Sequence, residues 1–222
     1  WCHHTAIQTV VSCTAQEAAI INLAGFEVRL RARFPEMSPF QPKGQEVSVP
    51  LAHVLELATL GLQAQAGCPV TFTCTTPTVD AHIYQVVVQY SEEAVGRLAL
   101  DLAISLCQAA LDDTPFDLTG ALAQLKELDE DVRLGPSTGC IVDAAIARNI
   151  PYRRMTEGSM VRFGWGSKKR RIQAAELDVT SAIAEAIAQD KDLTKKLLAA
   201  AGVPVPGGRA VHDADDAWAA AC

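Results

Sequence analysis

A chain of 222 residues, 49% of them hydrophobic, suits one domain plus a fragment or two small domains, with enough apolar material for a packed core. The formal net charge of −7 argues against general nucleic-acid binding. No apolar run approaches the roughly 20 residues that span a bilayer, and Trp1–Thr5 lacks the basic head and apolar stretch of a signal peptide.

In chain order, His4–Cys13 has a mixed apolar pattern that fits a short helix or a strand. Residues 25–49, rich in Pro, Gly and polar side chains, read as irregular surface structure. Val49 and Pro50 open a helix over 51–67, where Leu51, Val54, Leu55, Ala58 and Leu62 share a face and Gly67 ends it. Val70, Phe72 and Cys74 then alternate with Thr71, Thr73 and Thr75 as in a half-buried strand. In 82–90, Tyr84, Val86, Val88 and Tyr90 share one face, with Gln85 and Gln89 on the other. The intervening Thr76–Ala81 is long enough to turn the chain, which predicts antiparallel pairing.

Ser91 caps the next helix, and Glu92 and Glu93 favour its positive end. This helix runs to about Leu111, with Val95, Leu98, Leu102, Leu106 and Ala110 as its apolar stripe. Helices follow over 118–131 and 137–149, the second capped by Ser137 and stopped before Pro151. Residues 151–166 read as a hairpin turning at Thr156, Glu157 and Gly158, with Val161, Phe163 and Trp165 on one face, and a basic turn follows. Thr180 or Ser181 caps a helix to Gln189, and Asp190 caps another that Gly202, Pro204 and Pro206 end. A last helix begins near Asp213. Up to about residue 160 the fold class is α+β, an antiparallel sheet covered by helices.

The seven cysteines (Cys2, Cys13, Cys68, Cys74, Cys107, Cys140 and Cys222) form no Cys-x-x-Cys pair and lie mostly among apolar neighbours. That pattern points to buried, reduced thiols in a cytoplasmic protein rather than to disulfides or zinc. From Arg148 to Arg171 the chain carries eight basic residues against a single acid, Glu157. The planar fork of Arg suits carboxylate and phosphate groups, so this segment is either an anion-binding surface or a solvated turn. The adjoining Gly164-Trp165-Gly166-Ser167 lacks the spacing of a Walker phosphate loop.

Three consecutive blocks, LGPSTGCIVDAAIARNIPYRR (134–154), GSMVRFGWG (158–166) and KKRRIQAAELDVTSAIAEAIAQDK (168–191), resemble the cyanophycin synthetase family in order and wording. Trp1, residues 4–11, the helix from Leu51 to Gln63 and residues 82–97 extend the resemblance over most of the chain. Members resemble three-part ATP-dependent ligases. An N-terminal domain holds cyanophycin, a polymer with an aspartate backbone and arginine branches. An ATP-grasp domain adds Asp, and a Mur-ligase-like domain adds Arg. On this resemblance residues 1–160 are the polymer-holding domain and 161–222 the helical start of the ATP-grasp domain, truncated before its phosphate-gripping hairpin. The missing initial Met fits a beginning that has been cut away.

The resemblance implies ATP and Mg²⁺ as cofactors of the intact parent, a cytoplasmic homo-oligomer. This chain alone is expected to anchor the polymer, catalyse nothing, and bind no cofactor, metal, membrane or nucleic acid. The candidate substrate-binding residues are Arg153, Arg154, Arg162, Lys168, Lys169, Arg170 and Arg171, of which Arg170 and Arg171 match an Arg-Arg-Ile of the family. The polymer's guanidinium groups call for acids as well. Glu92, Glu93, Asp112, Asp113, Glu127, Asp129, Glu130 and Asp131 are available, most of them reading as caps or surface charges.

His53 and Glu56 match part of the His-x-x-Glu-His found in members that trim the polymer as metallopeptidases. Leu57 replaces the second His and Gly61 a later Glu, so no hydrolase site is expected and His53 reads as a polar residue at a helix edge. Two further departures lie in ELDVTS, where Leu177 and Val179 replace a Thr and an Arg of the family pattern. Lys191 and Lys195 read as helix packing and end electrostatics. The rival readings are a glutathione-synthetase-like ATP-grasp ligase, which shares the 190–195 helix and the Gly-Val-Pro-Val-Pro ending, and a stand-alone module using the basic segment on nucleic acid.

Overall fold

The computed structural model describes residues 5–40, 48–174 and 176–222; Trp1, Cys2 and His4 lie outside them. The chain forms two compact units that divide between Arg133 and Leu134. The division at residue 160 expected from the resemblance would cut through a strand (Met160–Phe163) and separate it from the hairpin partner before it.

In the first unit, β1 (Ala6–Ser12), β2 (Thr73–Pro77) and β3 (Ile83–Gln89) form an antiparallel sheet of order β1-β3-β2. The segment left open between helix and strand is therefore a strand. Its register places Ile7, Thr9 and Val11 opposite Val88, Val86 and Tyr84, so one face of β1 extends the apolar face of β3. Antiparallel pairing of β2 and β3 is as predicted. The Gln89 side chain accepts the N–H groups of Thr71 and Phe72 at 2.9 Å each, satisfying the backbone just before β2 begins.

Helices α1 (Phe26–Arg33), α2 (Leu51–Gln65), α3 (Glu93–Asp112) and α4 (Leu118–Val132) complete this unit. α2 matches its predicted face, with Val54, Leu55, Ala58 and Leu62 buried, and Gly67 beyond it takes a φ of +98°. On α3 the deepest positions are Val95, Ala99, Ala103, Leu106 and Ala110, while Leu98 and Leu102 are half-buried. By length and composition α3 could cross a membrane, but this stripe packs into the core shared with α2. Ser91 does not cap α3. Glu92 stands at the N-cap and makes no side-chain capping bond, and the Ser91 hydroxyl reaches Asp129 at 3.5 Å.

The expectation of irregular surface structure over 25–49 is corrected in part: α1 is helical and Phe26, Leu30, Phe34 and Met37 are buried, while 34–40 and 48–49 carry no regular element and 41–47 lie outside the described residues. Interleaved arginines hide this spacing in the sequence, yet two of them are structural. Arg29 Nε donates to the Ala110 carbonyl at 2.6 Å, and Arg33 Nε donates to the Thr114 carbonyl at 2.7 Å. Arg33 Nη2 also reaches Asp113 at 3.1 Å. Both tie α1 to the carbonyls at the end of α3, where positive charge is favourable. Arg33→Ala is expected to lower stability by about 1–2 kcal/mol in urea unfolding. Arg33→Lys should recover little, since an ammonium lacks the fork that spans both acceptors.

In the second unit, α5 (Pro136–Ile146) starts at Gly135 with Pro136 in its first turn, so Ser137 is not its cap. Strands β4 (Tyr152–Arg154), β5 (Met160–Phe163), β6 (Arg170–Gln173) and β7 (Glu176–Leu177) form an antiparallel sheet in that order. Val142 of α5 packs with Val161 and Ile172, flanked by Leu134, Tyr152 and Phe163. The Thr138 hydroxyl donates to the Ala174 carbonyl at 3.1 Å, which fixes α5 to the same sheet. Trp165 leaves the predicted apolar face and is 69% exposed.

α6 (Ala182–Gln189), α7 (Lys191–Ala200) and α8 (Ala214–Ala221) follow the sequence reading closely. Ser181, Asp190 and Asp213 cap them by accepting backbone N–H bonds, and Gly202 takes a φ of +79° after α7. None of the residues in these three helices is buried.

Candidate functional site: a row of arginines across a sheet

Side chains alternate between the two faces of a strand, and directly paired residues share a face. The register of the second sheet pairs Arg153 with Arg162 and Arg162 with Arg171. Three arginines therefore stand side by side on three neighbouring strands, on the face opposite the Val161–Ile172 core. The basic turn of the sequence reading is in part a strand, and that strand supplies Arg171. Neighbouring Cα atoms in such a row are about 4.5–5.5 Å apart.

Like charges placed directly opposite one another destabilise a sheet. No ion pair relieves Arg153, Arg162 or Arg171 among the described residues. Arg162 lies over the ring of Trp165, 5.5 Å from its centroid. Beyond Arg171 the row ends near Asp178, whose Oδ2 accepts the Arg171 backbone N–H at 3.2 Å. Arginines without ion-pair partners of their own can take an external anion.

The other predicted residues are placed differently. Arg154 lies on the opposite face and braces its own hairpin, donating to the carbonyls of Gly158 (2.9 Å) and Glu157 (2.5 Å). Arg170 pairs with Phe163 on that same face, and its Nη1 donates to the Lys169 carbonyl at 3.3 Å. Lys168 and Lys169 are exposed in and after a 3-10 turn (Gly166–Lys168) leading into β6. The strand assignment and register, which cluster the three arginines, were the missing signal. A strict alternation test on Arg170–Gln173 would have put Arg171 opposite Ile172.

In the first unit several of the acids considered for guanidinium binding already have partners. Glu93 pairs with Arg97, Asp113 with Arg33, and Asp129 accepts from Ser91 and Cys68. Glu127, Glu130 and Asp131 are exposed on α4.

His53 is not at an exposed edge. It is 7% exposed, and its Nδ1 lies 3.0 Å from Oε2 of the wholly buried Glu56. The Thr75 hydroxyl of β2 donates a very short hydrogen bond to the same carboxylate. Burial pushes the Glu56 carboxyl up, but hydrogen bonds from His53, Thr73 and Thr75 outweigh it and hold the group below its ordinary value. The pair thus fastens α2 to β2 through a buried carboxylate. Among the described residues no three His, Cys, Asp or Glu side chains converge as metal ligands. Cys13, Cys68 and Cys107 are buried free thiols, burial pushing Cys107 up to about 12, whereas Cys140 and Cys222 are exposed.

Residues 10–112, which run from within β1 to the end of α3 and do not reach the arginine row, match the family model of the cyanophycin synthase-like N-terminal domain. The chain carries a cyanophycin synthase-like N-terminal domain. It is similar to the cyanophycin synthetases of Trichormus variabilis and Geminocystis herdmanii, each 38% identical over 169 residues, which cover 75% of this chain. That of Crocosphaera subtropica is 37% identical over 165 residues, or 73% of the chain. In each case the match spans 19% of the relative, so the chain corresponds to about a fifth of these cyanophycin synthetases.

Proposed function

We propose that this chain is the polymer-holding part of a cyanophycin synthetase, with its residues from 161 onward leading into an ATP-grasp domain. The intact enzyme then joins Asp and Arg to a growing Asp–Arg polyamide at the expense of ATP, as a cytoplasmic homo-oligomer. The observation that carries this reading is the unpaired row of Arg153, Arg162 and Arg171. It lies downstream of a domain shared with cyanophycin synthetases, in a segment where cations far outnumber acids. The polymer's carboxylates are suitable partners for such a row.

The described residues do not fit a Mg²⁺–ATP site. Gly164 and Gly166 adopt positive φ and lead through a 3-10 turn into β6, not into the N-terminus of a helix that would cradle phosphates. No carboxylate cluster for Mg²⁺ accompanies them among the described residues. No phosphoryl step is assigned to these side chains, and in this proposal the chain's own part is to hold polymer.

The test is retention of the full chain on insoluble cyanophycin compared with DNA-cellulose across a salt gradient. Stronger retention on cyanophycin is expected. Preferential, steeply salt-dependent binding to DNA would overturn the proposal in favour of a nucleic-acid module. Phosphate release dependent on ATP and Asp, with a cyanophycin primer present, is expected to stay at background. Any turnover by the chain alone would refute the assigned division of labour.

A further inference from the structure

We infer that the free edge of β1 is a self-pairing surface, at which two copies of this chain join β1 to β1 antiparallel about a two-fold axis at Thr9, so that their three-stranded sheets become one. The inference does not rest on the polymer-holding proposal. A sheet of order β1-β3-β2 has two edges, and here they differ. Bonds between antiparallel strands fall on every second residue. The Thr5 carbonyl accepts from the Tyr90 N–H at one end of β1, and the Cys13 N–H donates to the His82 carbonyl at the other. The odd-numbered residues between them therefore bond to β3, and the N–H and C=O groups of Ala6, Gln8, Val10 and Ser12 point away from it. Among the described residues no loop or helix backbone bonds to those groups.

The other edge is blunted. The Phe72 carbonyl accepts from Gln89 and the Thr78 N–H donates to Ile83, which turns Thr73, Thr75 and Pro77 outward on β2. Pro77 has no N–H to offer, and the Gln89 side chain already holds the N–H groups of Thr71 and Phe72 just ahead of the strand. β1, by contrast, is Ala-Ile-Gln-Thr-Val-Val-Ser, with no Pro, Gly or charge to keep the edge single.

A second copy of β1 fits this edge in one register best. With Thr9 opposite Thr9, Gln8 faces Val10 and Ala6 faces Ser12, so every outward N–H and C=O of both strands finds a partner. Sliding one strand by two residues leaves an end residue unmet, and sliding by one turns every side chain to the wrong face. The inward side chains align as Ile7 opposite Val11, continuing the apolar face that meets Val88 and Tyr84. On the outward face Val10, 63% exposed, lies against Gln8 of the partner subunit. No charge on β1 meets its own image, as a contact between identical patches requires. Beside the strand, a Cβ on Gly96 of α3 would lie 3.0 Å from Ile7 Cδ1, and Leu100 and Ile104 follow Gly96 at one-turn steps. Ile104 is 49% exposed, so this ridge has apolar surface left to bury. An uncharged edge offers a charged polymer no ion pair, which favours a second copy as its occupant. Two short strands and one flanking ridge bury less than the roughly 1,600 Å² of a standard interface, so dissociation in the micromolar range is expected.

Sedimentation equilibrium of the full chain should show monomer–dimer exchange across that range. Gln8→Pro removes an outward N–H and leaves the β3 ladder intact, and Val10→Lys sets a cation on the joint. Each should weaken the dimer at least about tenfold. Val10→Lys changes an exposed side chain, so the dilute monomer should melt as the parent does. Ile183→Lys, at an exposed position on α6, should leave the dimer unchanged. Crosslinking reads the register in a background carrying Cys2→Ser, Cys140→Ser and Cys222→Ser. Opposed residues that do not bond to one another stand about 4.5 Å apart at Cα, within disulfide reach. Thr9→Cys should therefore oxidise to a covalent dimer, whereas Ser12→Cys, opposite Ala6, should not.

A chain that stays monomeric, a dimer indifferent to both β1 variants, or faster crosslinking of Ser12→Cys than of Thr9→Cys would each overturn the inference. A monomer that still holds cyanophycin sinks this contact and leaves the proposed function standing. A dimer with these properties that fails to hold cyanophycin does the reverse.

Discussion

Replacing His53 with Leu is expected to lower the stability of the first unit by about 3–5 kcal/mol at neutral pH. The change leaves Glu56, wholly buried, without the partner 3.0 Å away. A buried carboxylate left with only its hydroxyl donors is costlier than the loss of one ordinary hydrogen bond. The double variant His53→Leu, Glu56→Leu should recover most of the loss, since an apolar pair of suitable size has no charge to solvate. A urea-unfolding cycle measures both, and a double variant no better than the single would show that the pair does not act as a unit.

The pH dependence has a definite sign. In the parent chain the Glu56 carboxyl is held below its unfolded value, so ionised Glu56 contributes stability above that value. The contribution is lost as pH falls through the folded value. Removing His53 takes away the chief opposing hydrogen bond and moves the carboxyl upward. Between neutral pH and roughly pH 4, the variant's raised carboxyl should therefore take up a proton and its penalty relative to the parent shrink, whereas the parent's own Glu56 contribution is lost only at lower pH, below its ordinary carboxylate range. A variant penalty that is constant across this range would contradict the account.

Phe34→Ala is expected to cost about 3–5 kcal/mol, the range for emptying a buried aromatic site. Phe34 is fully buried at the end of α1, in a stretch whose sequence suggests surface structure. Its ring also explains Gly61 on α2. A Cβ at Gly61 would lie 3.1 and 3.2 Å from two Phe34 ring carbons, so even alanine requires the ring to shift. In the parent background, Gly61→Ala sets a helix-propensity gain of about 1 kcal/mol against this crowding. With Phe34 reduced to Ala the crowding vanishes, and Gly61→Ala should then be stabilising. Calorimetric melting of the four proteins tests this. Additive effects would mean that the ring does not limit position 61.

The two departures from the family motif on α2 now have different physical readings. Gly61 makes room for Phe34, and Leu57 stands where a second imidazole would complete a metal site. The remaining His53 and Glu56 satisfy one another and Thr75, a use for both groups within the fold.

Local chemistry was legible from the residues alone where one element decides it. The antiparallel β2–β3 pair, α2 and its terminating Gly67, and the capped starts of α6, α7 and α8 depend on alternation, helical spacing and short side-chain caps. The resemblance to cyanophycin synthetases was legible for the same reason, being carried by consecutive residues. Contacts between distant segments were not. Ser91 looks like a helix cap until Asp129 supplies a rival acceptor, and α1 looks irregular until its arginines find the end of α3. Charge content marked the 148–171 segment as basic, but strand register decided which three arginines share a face and which two turn away. Register depends on pairing between strands, and a slip of one residue would reverse every side chain, so no count of charges along one strand can fix it.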